Sequence, residues 1–155
     1  MSDDKPLKTA LDRAMRACSQ RESCIGDINA KLESWGVSSK NKEKIINVLI
    51  NEKFIDEKRF ATAFVKDKFN FNKWGKLKIT AHLKSKNIPG EIIKSALYNI
   101  DDELYFQTLK ELLSGHKRFI KAKNNYDLKA RLLRFGLSRG FESSLIYEVL
   151  NDTSL

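Results

Sequence analysis

The sequence predicts an all-α protein, and three observations carry that prediction. Gly and Pro are sparse, with seven and two among 155 residues, so the punctuation that separates short strands is missing. Apolar residues recur at three- and four-residue spacings, as in Leu7, Leu11, Ala14, Met15 and Cys18, and again in Ile45, Ile46, Leu49 and Ile50. A helical pattern of roughly 50 residues also repeats three times along the chain.

The repeat is clearest where "INAKLESWGV" from Ile28 is set beside "ITAHLKSKNI" from Ile79 and "LKARLLRFGL" from Leu128. An aliphatic, an Ala and a Leu recur at the same offsets. The aliphatic and the Leu (Ile28 with Leu32, Ile79 with Leu83, Leu128 with Leu132) are four apart and share one helix face. Gly36, Asn87 and Gly136 then supply the left-handed residue that ends a helix, and Val37, Ile88 or Leu137 starts the next element.

A third helix follows in each copy, marked by Ile45 and Ile46, Ile92 and Ile93, or Leu145 and Ile146, after a loop expected to be four residues longer in the first and third copies. A leading helix precedes each copy, roughly over residues 6–19, 57–70 and 102–114. Asp56 and Asp101 have the N-cap residue type, and Glu57, Asp102 and Glu103 add negative charge to the first turns. Asp101, Asp102 and Glu103 read as capping in preference to metal binding, since adjacent carboxylates at a helix start point in different directions.

The predicted architecture is three tandem three-helix modules, over residues 5–55, 56–100 and 101–153, forming an elongated, curved array. A module this size has too little core to stand comfortably alone, so neighbours are expected to pack together. The chain contains no apolar run of the roughly 20 residues a membrane span needs, and the start MSDDKPLK reads as no signal peptide. A soluble, cytoplasmic, monomeric protein is expected.

Cys18 and Cys24, with the distant His82 and His116, form neither a zinc pattern nor a disulfide framework, and they read as small core thiols. Phosphate-loop, dinucleotide, metalloprotease and Ser/His/Asp motifs are all missing, so neither cofactor nor catalysis is predicted. His82 reads as a polar helix position.

Charge is distributed unevenly. Residues 58–86 hold nine Lys or Arg against the single acid Asp67, and residues 115–139 hold eight against Asp127, within a net charge of +9. Such blocks attract polyanions through counterion release, nucleic acid above all, though an acidic protein surface would serve equally. Phe69, Phe71 and Trp74 in the first block, and Phe119 and Tyr126 in the second, can stack on bases. Aromatics at this density more often belong to a core.

Several stretches resemble the RecX regulatory proteins, which modulate the bacterial RecA recombinase. "ALDRAMRACSQRESCIGDINAKL" is similar to the family's opening, with Arg21, Ser23, Ile28, Lys31 and Leu32 in place. In "FIDEKRFATAFVKDKF", Asp56, Arg59, Phe60, Ala61, Phe64 and Val65 look like the Asp-acidic-x-Arg-Phe-Ala-x-x-Phe-Val element. In "WGKLKITAHLKSKNI", Gly75, Lys78, Ile79, Leu83 and Ile88 look like a second element. "RLLRFGLSRGFESSLIYEVL" matches the closing pattern at Arg131, Leu132, Arg139, Gly140, Phe141 and Ile146. The departures are Glu57 for the usual Asp, Asn87 for the usual Gly, and Gly136 where a larger residue is expected, which would loosen the last module.

The resemblance implies a non-enzymatic regulator that docks in the groove of the RecA–DNA filament and restrains filament growth and strand exchange. Any effect on ATP hydrolysis would then act through RecA. The basic residues expected to meet the filament or DNA are Arg59, Lys66, Lys73, Lys76, Lys78 and Lys84 in the middle module and Lys117, Arg118, Arg131, Arg134 and Arg139 in the last. The alternative is a plain DNA-binding array whose third helices enter a groove.

"KWGKLKITAHLKSKNI", residues 73–88, is the densest of these basic stretches. On a helical wheel Ile79 and Leu83 lie about 40° apart and form the core face, with Leu77 and Ala81 as a second apolar strip nearly opposite. The stretch is therefore expected to be a buried second helix sandwiched between neighbours. Its lysines would be pushed to the margins, where Lys76 and Lys86 can snorkel.

Overall fold

The computed structural model describes residues 4–152, so the last residue of the third predicted module and the first three of the chain lie outside the described residues. Among the described residues there are nine helices and no strand. They are α1 (Asp4–Gln20), α2 (Ile25–Ser34), α3 (Ser39–Asn51), α4 (Glu57–Asn70), α5 (Lys76–Ser85), α6 (Gly90–Tyr98), α7 (Asp102–Lys117), α8 (Asn125–Ser138) and α9 (Ser143–Leu150). The three leading helices fall where the sequence places them. Asp56 and Asp101 accept from the N–H of Arg59 (3.1 Å) and Leu104 (2.9 Å), which makes them the N-caps they were expected to be.

The residues gather into two compact units. Among the described residues, one contains 4–64 together with Leu83–Ile93; the other contains Val65–His82 together with 94–152.

In the first unit, α1, α2 and α3 pack on one another around Ala14, Ile28, Leu32, Ile45 and Leu49, all at most 1% exposed. Burying a side chain of this size contributes roughly 1.5–3 kcal/mol, which is what holds short amphipathic helices together. The start of α2 draws its caps from several places. The Sγ of Cys24 accepts from the Asp27 N–H at 3.4 Å, the Glu57 carboxylate faces the Ile25 N–H, which favours its charged form, and Lys86 Nζ pairs with Asp27 at 2.8 Å. Both cysteines are buried, and burial pushes the Cys24 thiol up to about 11.

In the second unit, α7, α8 and α9 enclose Leu109, Leu113, Leu132, Phe141 and Ile146. The start of α5 belongs here too, and "KWGKLK" offers it no Ser, Thr, Asp or Asn as N-cap. Its N–H groups are met instead by the turn between α8 and α9 and by α7. Gly75 N–H donates to Arg139 O at 2.7 Å, Lys76 N–H to the Tyr105 hydroxyl at 2.8 Å, and Leu77 N–H to Gly140 O at 2.9 Å. The Tyr105 hydroxyl in turn donates to Glu142 Oε1 at 2.5 Å. By contrast α8 has its own cap, Asn124 Oδ1 accepting from Asp127 N–H at 2.8 Å.

The middle helix of each set of three closes in the same way, and this closure corrects the expected register of the third copy. Gly36 (φ 76°), Asn87 (φ 62°) and Gly140 (φ 92°) are left-handed. The following N–H then reaches back five residues: Val37 to Leu32 O, Ile88 to Leu83 O, and Phe141 to Gly136 O, at 3.0–3.1 Å.

Gly140 therefore ends α8, and Gly136 lies inside the helix in the place of Leu32 and Leu83. Phe141, fully buried, is the counterpart of Val37 and Ile88, whereas Leu137 is 44% exposed. Leu132 rather than Leu128 matches Ile28 and Ile79. The mistake has a simple cause: residues four apart share a face, so a one-turn slip preserves the apolar pattern.

Two further expectations fall with it. The loop to the third helix has one length in all three copies, since α3, α6 and α9 each start three residues after the left-handed position. Gly136 does not loosen the last module, because a Cβ there would lie 2.7 Å from Cδ1 of Ile146, whose side chain already fills the space.

α5 is buried on one side only. Ile79 and Leu83 are fully buried, but Leu77 is 55% exposed and Ala81 is exposed, so the helix is not sandwiched. Its lysines behave as the wheel suggested: the stem of Lys76 is half-buried with Nζ 4.7 Å from the Tyr105 ring.

Candidate polyanion interface

The basic residues singled out in the sequence divide by what their charged ends already hold. Arg59, on α4 in the first unit, pairs with Glu22 and donates from Nη2 to the carbonyls of Lys53 (3.1 Å) and Phe54 (3.4 Å). Its guanidinium thereby ties down the turn that follows α3. Lys84, near the end of α5 in the same unit, is exposed.

The others belong to the second unit. Lys66 on α4 and Lys73 after it are exposed, and Lys73 has the left-handed φ of 56° that turns the chain out of α4. Lys76 is half-buried and reaches Asp102 at 3.8 Å. Lys78 and Lys68 approach the Trp74 ring, with Nζ at 4.7 and 5.0 Å from its centroid, and His82 packs on that ring at 4.5 Å. Both ammonium groups are within reach of the ring's π face, which stabilises the half-buried indole and keeps the two charges close together.

The last basic block forms a shallow groove where the end of α7 and the following loop face α8. His116, Phe119, Ile120, Lys121, Arg131, Arg134, Phe135 and Ser138 line it, and its volume is about 670 Å³. Inside it the His116 imidazole lies flat on the Phe135 ring, 3.7 Å between centroids and 6° between planes. Phe119 is 83% exposed.

Arg131 pairs with Asp127 at 3.1 Å. The Lys123 N–H and then that guanidinium hold the Asp127 carboxyl below the usual carboxylate range. Arg134 and Lys121 form no ion pair among the described residues. Arg139 sits beside Phe135, 5.9 Å from its centroid, and its Nη2 donates to Asn72 O at 3.0 Å, next to Lys73. Lys117 and Arg118 are exposed at the end of α7.

The aromatics named in the sequence sort into both roles. Phe69 is buried against Tyr105, and Trp74 is half-buried, whereas Phe71, Phe119 and Tyr126 are more than 80% exposed. The sequence reading missed His116, Lys121 and Phe135 as groove residues and Tyr105 as a capping residue. His116 and Phe135 are 19 positions apart in the chain, and no local spacing announces such a stack.

Comparison with known proteins identifies the chain. Residues 56–97 match the family model described as RecX, second three-helix domain, and residues 102–150 match RecX, third three-helix domain. The regulatory protein RecX of Chlorobium phaeobacteroides is 31% identical over 150 residues, covering 96% of this chain and 95% of that one. The chain belongs to the RecX family.

Other members differ in length. The RecX protein of Clostridium acetobutylicum is 33% identical over 149 residues, and the match covers 92% of this chain and 68% of that one. Against the RecX protein of Lactobacillus johnsonii the identity is 25%, and this chain spans half of its length. A solved structure of a regulatory protein RecX superposes with a TM-score of 0.86 at 22% identity, covering 94% of this chain and 72% of that one. The RecX structure from Lactobacillus salivarius superposes at 0.81 with 21% identity, covering 97% and 96%. Both share the all-helical fold.

The RecX-like sequence elements acquire physical reasons in this geometry. Gly75 and Gly140 meet backbone to backbone, Phe141 fills the core beside Tyr105 at 5.0 Å between ring centroids, and Ile146 packs on Gly136. Glu57, the departure from the RecX-type Asp, faces the Ile25 N–H at the start of α2. Among the described residues no helix is long and apolar enough to cross a membrane.

Proposed function

We propose that this chain is a non-enzymatic regulator that binds the RecA recombinase and the groove of the RecA–DNA filament, inhibiting filament growth and strand exchange. The observation that carries the reading is membership of a family whose members are named regulatory proteins. The two basic blocks support it, because a filament wrapped on DNA presents a polyanion beside protein.

On this reading the chain acts as a cytoplasmic monomer built of modules 5–55, 56–100 and 101–153. The contacting side chains are drawn from Lys66, Lys73, Lys76, Lys78 and Lys84 in the middle and from Lys117, Arg118, Arg131, Arg134 and Arg139 in the last module. Arg59 supports them from α4.

The second reading, a general DNA-binding array, draws on the same cations. A phosphate-dominated binder making about 6 contacts has a log–log salt slope near −5. The deciding experiment measures binding to bare single-stranded DNA, to free RecA and to assembled filament at two salt concentrations. Preference for filament with a shallower slope supports the regulator. Equal affinity for bare DNA with the full slope favours the DNA-binding array, and no binding to RecA or its filament rejects the regulator.

A further inference from the structure

We infer that the groove between the end of α7 and α8 is a subsite for one unpaired nucleotide of a single strand, its base stacked on Phe119 and its phosphates held by Arg134 and Lys121. The inference deepens the reading above and rests on it for the biological source of the strand. Its chemistry comes from the groove alone.

Three features carry it. First, the groove is both cationic and aromatic. Arg134 and Lys121 form no ion pair among the described residues, and Asp127, already bonded to Arg131, is the carboxylate that acts on Arg134 from a distance, so the groove keeps an excess of positive charge. Arg131, engaged with Asp127, adds a third cation and second guanidinium on the same helix face as Arg134, three positions away.

Second, Phe119 is 83% exposed beside a built stack of flat rings, His116 on Phe135. An apolar ring left in water at the lip of a cationic groove gains most from a planar partner that itself carries negative charge nearby. A nucleotide supplies both parts. A duplex supplies the charge but keeps its base faces stacked, and an acidic peptide supplies charge without a flat ring.

Third, the volume of about 670 Å³ lies within the roughly 300–1,000 Å³ of small-ligand clefts, which suits a single nucleotide. Arg139, beside the groove residue Phe135, adds a further guanidinium next to it, although its Nη2 is bonded to Asn72 O.

The test uses the full chain and a fluorescently labelled twelve-residue oligothymidylate, with a blunt duplex of the same length and a polyglutamate peptide as competitors. Phe119→Ala is expected to weaken single-strand binding roughly tenfold, in line with the loss of one stacked base, and to leave duplex binding unchanged. Arg134→Gln is expected to reduce the magnitude of the salt slope by about 1.

Tyr98→Ala, which removes an equally exposed ring on α6, serves as the comparison and should change nothing. Circular dichroism confirms that each variant folds. Unchanged affinity in Phe119→Ala, equal loss on duplex, or displacement by polyglutamate as readily as by oligonucleotide overturns the inference.

Failure here is distinguishable from failure of the regulator reading. A chain that binds filament while Phe119→Ala leaves oligothymidylate binding intact keeps the regulator and loses the subsite. A chain that binds oligothymidylate through Phe119 but ignores RecA and its filament keeps the subsite and loses the regulator.

Discussion

Gly75 lies so close to the backbone of Gly140 that a Cβ on it would strike Gly140, and a Cβ on Gly140 would strike Lys78 at the start of α5. Gly75 N–H donates to Arg139 O, and Leu77 N–H donates to Gly140 O, so the turn after α8 serves as the cap that α5 lacks. Gly75→Ala is expected to destabilise the chain by about 2–3 kcal/mol through forced displacement of this turn. Gly115→Ala, inside α7 with nothing within 4 Å of the added Cβ, should instead gain up to about 1 kcal/mol in helix propensity. Urea unfolding midpoints that moved the same way for both variants would refute this contrast.

Tyr105 links three helices through one hydroxyl. It accepts from Lys76 N–H, donates to Glu142, and its ring packs on Phe69 and Phe141. Tyr105→Phe keeps the packing and leaves two partners unsatisfied, a loss of about 1–3 kcal/mol. Burial, and then Glu142, push the phenol above its ordinary value. Its stabilising contribution is therefore complete below pH about 10 and is lost as the pH rises through the folded-state value. Melting curves from pH 8 to 11 should show a steeper alkaline decline for the parent than for Tyr105→Phe.

Glu57 titrates in the opposite range. Burial raises its carboxyl above the usual value, against the opposing Ile25 N–H, and Oε2 is buried without a hydrogen-bond partner. A raised folded-state value means that the group's contribution is fully present below pH about 4.5 and is lost as pH rises toward neutrality. Glu57→Gln, which cannot ionise, should be more stable relative to the parent at pH 7 than at pH 4.5. Parallel stability profiles for the two proteins across this range would sink the assignment.

Arg59 and Arg134 make opposite predictions although both are exposed arginines of the basic blocks. Arg59 is tied to Glu22 and to the turn that follows α3. Arg59→Ala should cost about 1 kcal/mol of stability after allowance for its solvent exposure, with little change in the salt slope of filament binding. Arg134→Ala should leave stability within about 0.5 kcal/mol and lower that slope by about 1. Denaturation and filament titrations on the two variants separate the roles.

The helices themselves were legible because apolar spacing and capping residues are local signals. Asp56 and Asp101 cap where expected, and Ile79 and Leu83 face the core. The third copy was misread by one turn because Leu128 and Leu132 reproduce the spacing of Ile28 and Leu32, and Gly136 offers, one turn early, the same residue type as Gly140, whose left-handed φ fixes the register. Only Ile146, on another helix, reveals what occupies the space beside Gly136.

The site was legible in charge and illegible in geometry. Counting lysines and arginines located both basic blocks, but it ranked Arg59 with Arg134, which differ only in what surrounds them. Phe119 and Phe69 read alike in the sequence, yet one is exposed and the other is core.

By itself, then, the sequence determined the all-helical class, the leading-helix starts and the positions of excess charge, since each follows from neighbours within a turn or two. The tertiary structure alone decided the register of the last copy, the backbone capping of α5 by Gly140, and the assembly of His116, Phe119, Arg134 and Phe135 into one groove. Those depend on residues distant in the chain being brought within bonding range, and no local periodicity encodes that distance.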